Sequence, residues 1–168
     1  EKRIKIGIVG GGDNTRRKHI PGLRAMSGIE ITGVVNRSVE SSRRVADEFE
    51  IPKTYVHWEE AVNDPETDAI VIGTWPYLHA PVTLAALEAG KHVLTEARLA
   101  MNVTEARSMV EAARACPGQI TQVVPSPVGL RHDKTVRRLL SEGYIGEPLA
   151  VSVTMGRDFI DPERVYGW

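Results

Sequence analysis

The chain has a single cysteine, Cys116, among its 168 residues. One thiol cannot close an internal disulfide, and it rules out a cysteine-based zinc site; no metal site is expected. A reducing, cytoplasmic setting fits. Charge of neither sign prevails: 21 Lys and Arg against 22 Asp and Glu leave a formal net charge of −1. There is accordingly no bulk electrostatic case for nucleic acid or an anionic membrane as partner. No apolar run approaches the roughly 20 residues that span a bilayer. The opening Glu1-Lys2-Arg3-Ile4 lacks both an initiator Met and the apolar core of a signal peptide, so a trimmed segment is expected. Internal repeats and low-complexity tracts are absent too.

What is present is an alternation. Hydrophobic residues make up 42% and charged residues 26% of the chain, as in soluble globular proteins. Short β-branched runs at Ile4 to Val9, Ile29 to Val35, Asp68 to Ile72, Lys91 to Thr95 and Ile120 to Val124 read as strands, with a short one at Tyr55-Val56. Between them apolar residues recur at helical spacing: Ile20, Leu23 and Met26; Val45 and Phe49; Leu78, Val82, Ala85 and Ala89; Val103, Ala106, Val110 and Ala113. Ser38 and Asn102 stand where helices start, and Gly90 closes one. A helix through Val136, Leu139 and Leu140 stops at Gly143, and Leu149 to Met155 begins another strand. Strand and helix in repeated succession predict an α/β fold, a doubly wound parallel sheet of the Rossmann type. Ligands of such sheets bind beyond the carboxyl ends of the strands, where the strand order reverses.

The loops at those ends carry the candidate chemistry. Gly10-Gly11-Gly12-Asp13-Asn14-Thr15 follows a buried strand and precedes a helix, the context in which a glycine loop approaches a pyrophosphate. The competing reading is an ordinary strand-to-helix turn. Asn36-Arg37-Ser38 ends the second strand, where an acidic residue normally takes the ribose 2′-hydroxyl of NAD. Neutral Asn36 would not repel a 2′-phosphate, and Arg37 could pair with it or stack on adenine, so NADP, or use of both NADP and NAD, is favoured. Asn36 and Ser38 could equally cap the next helix. In Gly73-Thr74-Trp75-Pro76-Tyr77-Leu78-His79, Thr74 and Pro76 would shape a wall against the cofactor. Trp75 and Tyr77 would cover it, line a sugar-like substrate or pack in the core. His79 is a general base or a contact at the helix start. Glu96 and Arg98, beyond the fifth strand, are badly placed for a core and well placed for polar groups of a ligand. Pro125-Ser126-Pro127 ends the sixth strand. Arg16, Arg17, Lys18 and Arg24 form a solvated basic face, or an early arginine helps hold phosphate.

These residues resemble the N-terminal part of the Gfo/Idh/MocA oxidoreductases. The matching runs are Ile6-Gly7-Ile8-Val9-Gly10-Gly11-Gly12, His19 to Leu23, Asp64 to Ile72, Ala85 to Glu96 (with the specific Ala-Leu-Glu-Ala-Gly-Lys-His-Val) and Gly143 to Pro148. The resemblance implies reversible hydride transfer between NAD(P) and a hydroxyl or aldehyde carbon of a sugar, inositol or related polyol. It implies two domains: residues 1–125 as the NAD(P)-binding Rossmann domain, and 126–168 as a connecting helix and the first strand of an incomplete α+β substrate domain. A homo-oligomer is expected at full length. Gly10, Gly12, Asn36, Arg37, Thr74, Pro76, His79 and Glu96 fall on the family's cofactor positions; Gly11, Asp13, Asn14, Ser38 and Trp75 join them from the loop reading. The family usually reads Glu-Lys-Pro where this chain has Glu96-Ala97-Arg98, and its lysine polarises the substrate hydroxyl. Ala97 cannot do so. Arg98 could anchor an anion or orient a carbonyl, but its high pKa makes it a poor proton donor. Arg98 and His79 are thus the candidate catalytic residues. A cofactor-binding regulator without catalysis, and a member that uses bound NAD for elimination or hydrolysis, are the alternatives.

Overall fold

A computed structural model describes residues 3–125, 132–152 and 154. The chain divides into two compact units, Glu1–Pro127 and Val128–Trp168. In the first, six parallel strands form one sheet: β1 Ile4–Val9, β2 Ile29–Val35, β3 Lys53–Thr54, β4 Ala69–Ile72, β5 His92–Thr95 and β6 Thr121–Val123. Their order is β3-β2-β1-β4-β5-β6. The chain winds outward from β1 in one direction and then, from β4, in the other. This is the Rossmann order, with its switch point between β1 and β4.

The helices are α1 Ile20–Arg24, α2 Val39–Glu48, α3 Trp58–Asn63, α4 His79–Glu88, α5 Val103–Ala115 and, in the second unit, α6 Asp133–Ser141. A π-helical turn, Thr15–His19, leads into α1, and a 3-10 turn, Pro76–Leu78, leads into α4. Each central strand is apolar on both faces, as a doubly covered parallel sheet requires. Ile6, Ile8 and Val71 point to the side where Ile20, Leu23, Val45 and Ala46 of α1 and α2 pack. Val9, Ile70 and Ile72 point to the opposite side, against Ala61, Val62, Val82, Ala86 and Leu87 of α3 and α4.

Local signals hold where a side chain can be seen to act. Ser38 Oγ accepts the Ser41 N–H at 3.2 Å and starts α2; Asn102 Oδ1 accepts the Glu105 N–H at 2.9 Å and starts α5. Other expectations change. The third strand is Lys53–Thr54, two residues before Tyr55-Val56. On α5, Met109 is the buried residue, while Val103 and Val110 are exposed. Met26 is also exposed rather than part of a core face. In the second unit, Leu149 to Ser152 and Thr154 adopt no strand; Val153 and Met155 of that expected strand lie outside the described residues.

Tyr55 packs across β2 at Gly33, and its hydroxyl donates to Asp64 Oδ2 at 2.7 Å. Burial, and then this bond, push the phenol up to about 12. Burial alone would raise the Asp64 carboxyl, but the Tyr55 hydroxyl, the Glu66 N–H and Lys53 together hold it below its ordinary value. A Cβ on Gly33 would overlap the Tyr55 ring. Gly33→Ala should therefore cost about 1–3 kcal/mol in urea unfolding, because a packed ring and its buried bond must both give way. An unchanged midpoint and slope would show that the ring has room to move.

Candidate functional site

The sheet brings the strand ends level. Gly10 N donates to Val35 O at 2.8 Å, Gly73 N to Val9 O at 2.8 Å, Glu96 N to Ile72 O at 3.0 Å and Val124 N to Thr95 O at 2.8 Å. The first residues beyond β1, β4, β5 and β6 thus share one edge. The loops singled out in the sequence open from it together, apart from Ser126 and Pro127, which lie outside the described residues.

At the switch point two glycines cross at close range. Gly10 has φ +95, and a Cβ there would stand 2.7 Å from the Gly73 carbonyl carbon and the Thr74 nitrogen. A Cβ on Gly73 would overlap the Thr15 hydroxyl and sit 2.6 Å from Gly10 O. Both positions need glycine for the fold itself. Gly12 differs: it is exposed, and a Cβ there would meet only Gly73 O, at 3.9 Å. Nothing inside the protein requires glycine at that position. The bare backbone leaves the close approach that a dinucleotide pyrophosphate needs, so the residues present fit such a group.

Gly11 is buried, and its N–H donates to Asn36 Oδ1 at 2.5 Å. Asn36 Nδ2 donates in turn to Ser41 O at 3.2 Å, and the Asn36 N–H to Ser42 Oγ at 2.8 Å. Asn36 therefore ties the glycine loop to the start of α2. It places a neutral amide, not a carboxylate, at the end of β2. Arg37 and Ser38 beside it are exposed, Ser38 as the cap of α2 and Arg37 open to solvent.

On the other side of the loop, Asn14 Nδ2 donates to Glu96 Oε1, and His19 Nε2 lies 2.5 Å from the same oxygen. The His19 and Glu96 side chains are only 14% and 15% exposed. The second Glu96 oxygen accepts the Ala97 N–H at 3.0 Å. Glu96 thus joins the loops after β1 and β5. Nothing in its spacing marks His19; its one signal in the sequence is that it opens a run matching the family. Asp13 is exposed and pairs with Arg17 at 3.4 Å.

His79 sits elsewhere. It is 0% exposed, with Nδ1 2.7 Å from Arg98 O and Nε2 3.0 Å from Thr74 O. A ring closed to ligands and engaged at both nitrogens is unsuited to general-base work. Its geometry corrects that expectation toward the other one, a contact at the start of α4. It fixes the loop after β4 to the loop after β5. Trp75 and Tyr77, at 59% and 57% exposed, do not belong to the core; they stand at the loop surface beside half-buried Thr74 and Pro76. The Arg98 side chain is exposed and makes no hydrogen bond or ion pair among the described residues. No helix among the described residues is long and apolar enough to cross a membrane, and no group of three or more His, Cys, Asp or Glu among them is placed to hold a metal ion.

A 3-2-1-4-5-6 parallel sheet with a glycine loop at its switch point defines a dinucleotide-binding Rossmann domain. Residues 4–123 match the model of an oxidoreductase family with an NAD-binding Rossmann fold, and the chain belongs to this family, Gfo/Idh/MocA. It is 37% identical over 165 residues to a 1,5-anhydro-D-fructose reductase of Ensifer adhaerens, covering 96% of this chain and 47% of that protein. It is 32% identical over 127 residues to a trans-1,2-dihydrobenzene-1,2-diol dehydrogenase of Xenopus laevis, covering 76% of this chain and 38% of that one. Among solved structures, a 3-ketoreductase from Actinomadura kijaniata, in complex with NADP and TDP-benzene, matches with a TM-score of 0.73 and 27% identity, covering 87% of this chain and 44% of that chain. The chain spans less than half the length of these relatives.

Gly10 and Gly12 should separate on substitution. Gly10→Ala is expected to lower stability by about 1–3 kcal/mol, because it strains the backbone where two loops cross. Gly12→Ala is expected to melt within experimental error of the parent yet to bind NADP at least about tenfold more weakly, by calorimetric titration. Unchanged binding in a folded Gly12→Ala protein would contradict the close approach assigned to that residue.

Proposed function

We propose that the full-length protein is an NAD(P)-dependent oxidoreductase that interconverts a hydroxyl and a carbonyl on a sugar, inositol or related polyol. The observation that carries this reading is Gly12, open to solvent at the switch point with no internal need for glycine. Membership of the oxidoreductase family and relatives named for reducing or oxidising sugar-like and diol compounds support it.

Residues 1–125 act as the cofactor domain, and 126–168 lead into the substrate domain of a longer, homo-oligomeric, cytoplasmic protein. Gly10 to Gly12, Asp13 and Asn14 receive the pyrophosphate side, and Asn36, Arg37 and Ser38 the adenosine side. Thr74, Trp75, Pro76 and Glu96 border the nicotinamide side, and His79 holds that border in place. NADP is preferred to NAD, because Asn36 brings no carboxylate to repel a 2′-phosphate. The bound nicotinamide supplies or accepts the hydride. The chain's own residues orient the substrate: Arg98, unpaired beyond β5, can hold a carbonyl or anionic group. Its guanidinium acts there by charge and hydrogen bonding.

Ala97 favours a second reading, a regulator that binds cofactor without turnover. The two separate in one assay. The full-length protein, given NADP or NAD and a panel of sugars, inositols and polyols, should show cofactor reduction or oxidation at 340 nm. The 168-residue chain alone should bind cofactor with little or no turnover. Tight cofactor binding without turnover at full length would favour the regulator, and absence of cofactor binding would overturn both.

A further inference from the structure

Between β5, β6 and α5 lies a cavity of about 110 Å³, lined by none of the residues assigned to the dinucleotide. Val93 and Thr95 form its wall on the sheet; alternate residues of β5, they share one face. Met109 and Ala113 line it from α5, Thr83 from α4 and Leu99 from the loop after β5. Val110 and Val123 line it too, and both are exposed, so the cavity opens to solvent beside them.

Two of its groups call for a partner. Thr83 and Thr95 are 4% and 2% exposed, and neither Oγ1 has a hydrogen-bond partner among the described residues. A buried hydroxyl costs free energy until something pairs with it, whereas a valine of the same shape would pack at no such cost. Each hydroxyl can donate and accept, so an alcohol or a carbonyl oxygen suits it. The valine, leucine and methionine walls suit a hydrocarbon body. No charged side chain lines the cavity, so an ion would lose its water there without gaining a counter-charge. Size sets the last limit. A cavity of about 150 Å³ takes the six carbons of benzene, so one of 110 Å³ takes about four non-hydrogen atoms.

We propose that this cavity is a second ligand site, for a neutral alcohol, aldehyde or ketone of about three carbons. The ligand's oxygen pairs with the Thr83 and Thr95 hydroxyls, and its carbons pack against Val93, Leu99 and Met109. Thr95 and Leu99 bracket Glu96, Ala97 and Arg98, so the ligand sits at the base of the loop that carries them. The site does not draw on the glycine loop, and it stands whether or not a dinucleotide binds.

Methyl and amide NMR of the carbon-13- and nitrogen-15-labelled chain, titrated with 2-propanol and with acetone and without nucleotide, tests it. Saturable shifts are expected at the Met109, Val93 and Leu99 methyls and the Thr95 amide, with a Kd of order 1 mM, which four non-hydrogen atoms can supply. Propionate and isopropylammonium, of similar size but charged, should leave these signals unmoved at the same concentrations. The double variant Thr83→Val, Thr95→Val keeps the shape and removes both hydroxyls. It should melt no lower than the parent and bind both probes about tenfold more weakly. Ala113→Leu, which fills the cavity, should abolish the shifts. Shifts that rise linearly without saturating, or that are as large with the charged probes, would overturn the site on the parent protein alone. Undiminished binding in the folded double variant would overturn the role of the hydroxyls, and undiminished binding in Ala113→Leu would place the ligand elsewhere.

Discussion

The close crossing of the loops after β1 and β4 is the constraint on which the site depends. Gly10 and Gly73 approach so nearly that neither tolerates a Cβ, and Thr15 closes over the crossing from the π-helical turn. Gly10 N and Gly73 N each extend the sheet by one hydrogen bond before the chain turns away. Opposite windings of the chain begin on either side of this point. Separating the two loops by the width of a methyl group would open the switch point and carry the bare backbone at Gly12 out of line with the ends of β2 and β5.

Polar side chains then lock the loops around the crossing. Asn36 binds Gly11 and the start of α2, Glu96 gathers Asn14 and His19, and His79 bridges Thr74 and Arg98 through their carbonyls. The Asn36–Gly11, Glu96–Asn14, Glu96–His19 and His79–Arg98 ties join residues 19 to 82 positions apart in sequence. The loop ends are therefore set before any ligand arrives, which reduces the ordering that binding must supply. Gly12, Trp75 and Arg98, all proposed to face a ligand, are exposed on these loops.

Much of this was legible in the sequence. Buried parallel strands are continuous β-branched runs, and Ile4 to Val9, Ile29 to Val35 and Asp68 to Ile72 carry that pattern plainly. The glycine loop announced itself by its place between strand and helix. The helix faces were harder. On α5, alanines lie on several sides, so spacing could not say that Met109, not Val103 or Val110, faces inward. The side-chain ties were not legible at all, because Asn36 and Gly11, or His19 and Glu96, meet only once the sheet has formed. Hence from sequence Asn36 reads as a ribose contact or a helix cap, whereas it also anchors the glycine loop. Likewise His79 reads from sequence as a base or a helix-start contact, although the fold encloses its ring.

The central claim is that a dinucleotide lies across this particular edge of the sheet. Backbone amide shifts of the nitrogen-15-labelled chain, followed while NADP is added, test it residue by residue. The account predicts saturable changes concentrated at Gly10 to Asn14, Asn36 to Ser38, Thr74, Trp75 and Glu96, with the amides of α3 and the N-terminal ends of the strands unmoved. Saturable changes centred elsewhere, or none at millimolar NADP, would contradict it.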